Sequence, residues 1–277
     1  MMPVLKYVFQ FSIVVGSLYV IILTGAYVFQ GNLLFIPGKE MIATPESVGL
    51  DYRDHYFETA DGVKLHGWFI PGGDSNKFVQ LSHGNAGNIS GRVGLASVLN
   101  EAGFNVFMYD YRGYGKSEGH PSEQGLYKDA EGAMNFLKTH YDVKNENIIQ
   151  FGRSLGGAVA SYVAAKHKTG GLVIDSSFTN MRSIIGEVYP FIPASLSKFK
   201  FPTTDYLSDI KGVPVLILHS RDDDLIGFHH GKELYATASE PKQFVTLNGG
   251  HNDSFLVTKE KYLDAWREFK ETLENEK

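Results

Sequence analysis

The chain has 277 residues, 43% hydrophobic and 21% charged, the proportions of a folded globular protein rather than a disordered or fibrous one. Its formal net charge of −5 argues against nucleic acid as the main partner, because phosphate binding needs a basic surface. It has no cysteine, which excludes disulfides, thiolate metal sites and a cysteine nucleophile.

Tyr7 to Phe29 is a 23-residue run without a charged side chain. About 20 helical residues cross a hydrocarbon core, so the run reads as one transmembrane anchor over residues 1–30. A cleaved signal peptide is the alternative, with Thr24, Gly25 and Ala26 where a peptidase wants small residues. A buried core helix fits less well, because the run is too long and too uniformly apolar. Lys6 precedes the run and no positive charge follows until Lys39. The positive-inside rule then puts the N-terminus in the cytoplasm and the following domain on the other side; after cleavage that domain would be secreted.

Residues 31–50, with Pro37, Gly38 and Pro45, read as a connector, and residues 51–277 as a single domain. Within it Arg53–Thr59 and Leu65–Ile70 form a hairpin across Ala60-Asp61-Gly62. Strands are then expected at Phe78–Ser82, Asn105–Tyr109, Asn147–Phe151, Gly171–Ile174, Val213–Leu218 and Gln243–Leu247. Helices are expected at Arg92–Ala102, Ser122–His140, Leu155–Lys166, Gly231–Ala238 and Thr258–Leu273. This alternation predicts an α/β protein with a mostly parallel sheet covered on both faces.

One turn carries a chemical signature. The strand Asn147–Phe151 runs into Gly152-Arg153-Ser154-Leu155-Gly156-Gly157, a G-x-S-x-G motif between a strand and a helix. Such a bend strains the serine backbone and pushes its hydroxyl outward. Side chains at positions 152 and 156 would collide with neighbouring backbone, hence glycine. The following helix offers a backbone N–H and a partial positive charge to a developing oxyanion. The plainer reading is a Gly-rich turn with Ser154 as a helix cap.

A nucleophilic serine needs a base, and the base an orienting carboxylate, following it in the order acid, then histidine. Asp222, Asp223 and Asp224 stand just past the strand Val213–Leu218, and any one could reach an imidazole. His251 lies after the late strand Gln243–Leu247, in the loop Asn248-Gly249-Gly250, and is the one of ten histidines in the required order and context. His229 and His230 read as surface residues opening a helix. The loop His83-Gly84-Asn85 follows the strand Phe78–Ser82, where a second oxyanion donor is expected; the N–H of Asn85 would pair with that of Leu155, and His83 would hydrogen-bond within the loop.

Six motifs in order now give the chain a clear likeness. They are Phe29-Gln30 with Leu33 to Pro37, His83 to Asn88, Asp110 to Gly119, Gly152 to Gly157, His219 to Ile226, and Gly249 to Asp253. Over roughly residues 28 to 272 the chain resembles the α/β-hydrolase superfamily, most of all its membrane-anchored Bem46-type subgroup. The resemblance implies the α/β-hydrolase fold. The subgroup's acid loop, His-Gly-x-x-Asp-x-x-Ile/Val, selects Asp223 here, although Ser220 stands where glycine is usual. Members include lipid esterases, lysophospholipases and protein depalmitoylases, which implies an acyl ester or thioester substrate.

Gly115-Lys116-Ser117 mimics a phosphate-binding loop, but Asp110 occupies the position of its first glycine. No metal motif appears, and no cofactor is expected. Residues 178–205, rich in aromatic and aliphatic side chains and broken by Pro190, Pro193 and Pro202, interrupt the strand–helix rhythm where a short lid would sit. Their side chains, Tyr189 and Phe191 among them, either contact an acyl chain or finish the core. The expected activity is that of a serine hydrolase cleaving a carboxylic ester or thioester of a lipid-like substrate. Ser154, His251 and Asp223 would be the triad. An acyltransferase on the same residues and an inactive binding scaffold are the alternatives. The expected partners are the acyl substrate and the membrane; the sequence leaves the oligomeric state open.

Overall fold

The computed structural model describes residues 2–73 and 75–275. Residue 1 of the expected anchor and residues 276–277 of the expected domain lie outside them. Eight strands form the central sheet: β1 (Arg53–Glu58), β2 (Lys64–Ile70), β3 (Phe78–Ser82), β4 (Asn105–Tyr109), β5 (Ile148–Arg153), β6 (Gly171–Asp175), β7 (Val215–Ser220) and β8 (Lys242–Leu247). Their order across the sheet is β8-β7-β6-β5-β3-β4-β2-β1. β2 pairs antiparallel with both β1 and β4, and every other pairing is parallel.

Parallel strands are buried on both faces, so their sequences are continuously apolar. β4 shows the division: Val106 and Met108 face one core, Phe107 and Tyr109 the other. The first core is closed by α3 (Val93–Glu101) and by Tyr262, Leu263, Trp266, Phe269 and Leu273 on the last helix, α10 (Lys259–Asn275). That spacing is one stripe of a 3.6-residue period. The second is closed by α4 (Glu123–His140), capped where Gly125 N–H donates to Ser122 Oγ at 3.1 Å, and by α5 (Leu155–His167).

Ahead of the sheet, α1 (Met2–Val28) is the one helix among the described residues long and apolar enough to cross a membrane. Residues 4–28 carry no buried stretch, so α1 is not a core helix. A short α2 (Gln30–Leu34) follows. Ile36 and Pro37 then pair in parallel with Ala86 and Gly87, so the segment read as a connector is strapped onto the loop after β3. The lid interrupts the sheet's rhythm after β6. It contains α6 (Met181–Val188) and a single turn at Ala194–Leu196, and it ends at α7 (Thr203–Asp209), whose Leu207 packs into the core beside α5. Two further helices, α8 (Phe228–Thr237) and α9 (Ser254–Val257), complete the chain.

Candidate active site

All the residues that the sequence singles out for chemistry sit past the C-terminal ends of parallel strands, where open α/β sheets gather ligands. Ser154 joins β5 to α5 with φ 54° and ψ −124°, a left-handed conformation costly for a side chain. Its surroundings impose it. Ser154 N–H donates to the Asp175 carbonyl at 2.9 Å. Its carbonyl accepts from Gly157 N–H at 2.9 Å and from Ser177 Oγ at 2.7 Å. The flanking glycines are sterically compelled: a Cβ on Gly152 would overlap the Gly156 carbonyl, and one on Gly156 would overlap that of Ser82.

The three aspartates after β7 divide the work of holding one histidine. Asp223, its side chain fully buried, accepts from His251 Nδ1–H at 2.9 Å through Oδ2, and Oδ1 takes the N–H groups of Leu225 at 3.0 Å and Ile226 at 2.8 Å. Burial pushes the Asp223 carboxyl up, but the hydrogen bond and charge of His251 and the two amides outweigh it, so its pKa lies below the usual carboxylate value. Asp224 accepts the backbone N–H of His251 at 3.0 Å, which lowers its pKa too. Asp222 accepts from Asn248 Nδ2 at 3.1 Å and from Gly249 N–H at 3.2 Å. The flanking aspartates therefore pin the histidine loop. His219 is buried behind the acid with Nε2 3.7 Å from Asp223 Oδ2, and burial lowers its pKa.

Asp223 thus holds Nδ1 of His251 and leaves Nε2 as the ring's free lone pair. Ser154 Oγ makes no hydrogen bond to His251 among the described residues. A different link joins the two loops. Arg153, inside the G-x-S-x-G motif, donates to the His251 carbonyl, lies 5.1 Å over the Phe255 ring and pairs with buried Asp175 at 3.4 Å. Asp175 in turn accepts from Tyr262 Oη at 3.0 Å. Sequence reasoning missed Arg153; the signal was a charged residue at the variable position of an otherwise apolar bend.

The loop after β3 lies against the nucleophile, where a Cβ on Gly84 would sit 3.4 Å from that of Ser154. The Asn85 carbonyl accepts from Ile36 N–H at 3.0 Å and Tyr114 Oη at 2.7 Å, and its side chain donates to the Leu34 carbonyl at 2.9 Å. The backbone N–H groups of Asn85 and Leu155 have no acceptor among the described residues. His83 donates from Nδ1 to the Gly84 carbonyl at 2.7 Å, and burial lowers its pKa to about 4, so it is a neutral structural ring.

Ser154, Leu155 and Asn85 lie in the wall of a cavity of about 280 Å³. The rest of the wall is mainly apolar: Ile184, Ile185, Val188 and Tyr189 of the lid, Ile226 of the acid loop, and Leu33 and Leu34 beside α1. Tyr189 stands where substrate contact was expected. Phe191 does not line the cavity; it is 82% exposed. Among the lid aromatics, Phe199 lines the cavity while Phe201 is buried in the core.

Away from this site, Glu187, His229 and His230 bring ligand atoms within 4.8 Å of one another. His230 is 1% exposed rather than on the surface, because its Nδ1 accepts from Thr179 N–H at 3.3 Å beneath the lid. That tautomer is a neutral ring with its proton on Nε2, 3.2 Å from Glu187, which leaves no free lone pair for a metal.

A family model described as serine aminopeptidase, S33, matches residues 73–204. An esterase of Pyrococcus furiosus shares the fold, with a TM-score of 0.72 at 23% identity over 87% of this chain and 97% of that one. An uncharacterized membrane protein of Saccharomyces cerevisiae is 31% identical over 255 residues, covering 88% of this chain and 89% of that one. The alpha/beta hydrolase domain-containing protein WAV2 of Arabidopsis thaliana is 34% identical over 280 residues, 90% of each chain. With that identity along nearly its whole length, and with this sheet order, the chain belongs to the α/β-hydrolase superfamily.

Proposed function

We propose that the chain is a membrane-anchored serine hydrolase that cleaves the carboxylic ester or thioester of an acyl substrate. The observation that carries the reading is His251, held through Nδ1 by the buried carboxylate of Asp223, in a loop tied by Arg153 to the bend that presents Ser154 in an apolar cavity. In this reading Nε2 of His251 takes the Ser154 proton as Oγ attacks the acyl carbonyl. The N–H groups of Asn85 and Leu155 receive the negative oxygen; each such donor supplies about 3 kcal/mol in comparable sites. The imidazolium then protonates the leaving alcohol or thiol. Water, activated by the same ring, releases the carboxylic acid and restores Ser154.

The cavity's apolar lining favours a hydrocarbon chain over a peptide. The length and exposure of α1, and the membrane designation of the yeast relative, support attachment to a membrane. The test is turnover of p-nitrophenyl esters of graded chain length. Ser154→Ala and His251→Ala are expected to lose at least about a thousandfold in kcat, as triad members do elsewhere. Turnover retained within tenfold in Ser154→Ala would refute the assignment.

A further inference from the structure

Two surfaces that meet beside Ser154 lie unexpectedly far along the apolar helix. On one side, the end of α1 and the turn after it, through Ala26, Tyr27, Gln30, Leu33 and Leu34, form one wall of the cavity. On the other, the lid runs alongside that helix. Lys198 N–H donates to Gln30 Oε1 at 2.8 Å, Gln30 Nε2 donates to the Leu196 carbonyl at 2.8 Å, and Lys198 Nζ sits 4.1 Å over the Tyr27 ring. Tyr19 Oη then donates to the Phe191 carbonyl at 2.6 Å.

These contacts give the lid a depth. Tyr19 and Tyr27 are eight residues apart, about 12 Å along a helix rising 1.5 Å per residue. Tyr27 and Lys198, an aromatic ring and an ammonium at the end of the apolar run, have the composition of a headgroup-level belt. Tyr19 lies inside the apolar span Val4–Val28, so the carbonyl it meets sits well below that belt. A tyrosine hydroxyl and a loop carbonyl facing hydrocarbon must satisfy each other, and these two do. The side chains at the lid tip fit the same medium. Phe191 is 82% exposed, Tyr189 56% and Val188 41%, an apolar tip that water would not favour.

Building on the assignment of Ser154, we propose that residues 188–193 are inserted in the acyl region of the leaflet beside α1. The cavity then opens sideways into the bilayer, and the substrate is a membrane lipid ester whose chain enters from the hydrocarbon. A cavity of about 280 Å³ is at the small end of ligand sites, which suits one acyl chain while the remainder of the lipid stays in the leaflet.

The natural absence of cysteine makes the test direct. Full-length protein with a single cysteine at Phe191→Cys, Val20→Cys or Lys138→Cys is labelled with bimane and reconstituted in phosphatidylcholine vesicles. Brominated phosphatidylcholine should quench the probes at 191 and 20 to a similar extent, several-fold more than the probe at 138, and iodide should show the reverse. A probe at 191 that behaves like the one at 138 overturns the insertion. In a second arm, the ratio of turnover of a fluorogenic lipid ester held in the vesicles to that of soluble p-nitrophenyl butyrate should fall at least tenfold in Phe191→Asp. A ratio unchanged within twofold overturns lateral entry. Fluorophosphonate labelling of Ser154, measured in the same vesicles, reports separately on the nucleophile, and quenching at 191 decides the lid's depth whether or not Ser154 reacts.

Discussion

Ser154 holds its backbone in a left-handed conformation only because glycines at 152 and 156 let β5 and α5 close around it. Gly156→Ala would drive a methyl into the Ser82 carbonyl. It should destabilise the fold by about 3 kcal/mol, the upper end for overpacking, read as a lowered midpoint in urea. Asp224 donates nothing to the chemistry yet fixes the backbone of His251. Asp224→Ala should lower kcat about tenfold while KM changes little, since the backbone of His251 loses the carboxylate that anchors it. His83 gives a pH signature. The folded ring stays neutral to about pH 4, whereas an unfolded imidazole protonates near 6.5. Its contribution is therefore lost as pH falls below 6.5, amounting to about 2 kcal/mol at pH 5. Urea midpoints of wild type and His83→Gln at pH 7.5 and pH 5 measure this, and the variant should show the smaller acid loss.

At the scale of elements, periodicity and turn residues placed the eight strands of the central sheet and the helices α1, α3, α4, α5, α8 and α10, because parallel strands are apolar throughout and helices keep one apolar stripe; the short α2, α6, α7 and α9 had no such reading. The strand read as Asn147–Phe151 extends through Gly152 and Arg153, which pair with β6 before the bend. Glycine before a turn looks like an ending, and only the neighbouring strand reveals continuation. The helix read from Gly231 begins at Phe228, and His230 in its first turn is fixed under the lid by Thr179, a tertiary contact without a sequence signal. Ser154 and His251 were legible from the motif and the chain order, whereas the residues left Asp222, Asp223 and Asp224 open and only the family's acid loop pointed to Asp223, the one that reaches His251 Nδ1. The supporting roles of Asp222, Asp224 and Arg153 were not legible, since each depends on a loop from elsewhere in the chain. Arg153→Met would strand Asp175 as a buried charge and cost about 3–5 kcal/mol. Arg153→Lys keeps the charge but not the planar fork, and should lower kcat more than it lowers the thermal midpoint.

Across the whole molecule, the N-terminal segment is long and apolar enough to cross a membrane and also forms part of the wall of the candidate site. Ile36 and Gly38 donate to the carbonyls of Asn85 and Gly87, and the Leu34 carbonyl takes the Asn85 side chain. The apolar run therefore ends in a strap that shapes the loop beside Ser154. Length and apolarity announced the helix; nothing in the local sequence announced that its last turns would wall the cavity. Leu34→Asp, at that wall, should raise KM for long-chain esters about tenfold and leave acetate esters within threefold, a comparison made by chain-length profiling.

The central claim is that one hydroxyl is acylated, and the direct measurement is the mass of the protein after reaction with diisopropyl fluorophosphate. A single phosphoryl adduct on the peptide bearing Ser154, absent in Ser154→Ala and slowed in His251→Ala, is the predicted result. An adduct on another residue, or none in a chain that still hydrolyses esters, contradicts it.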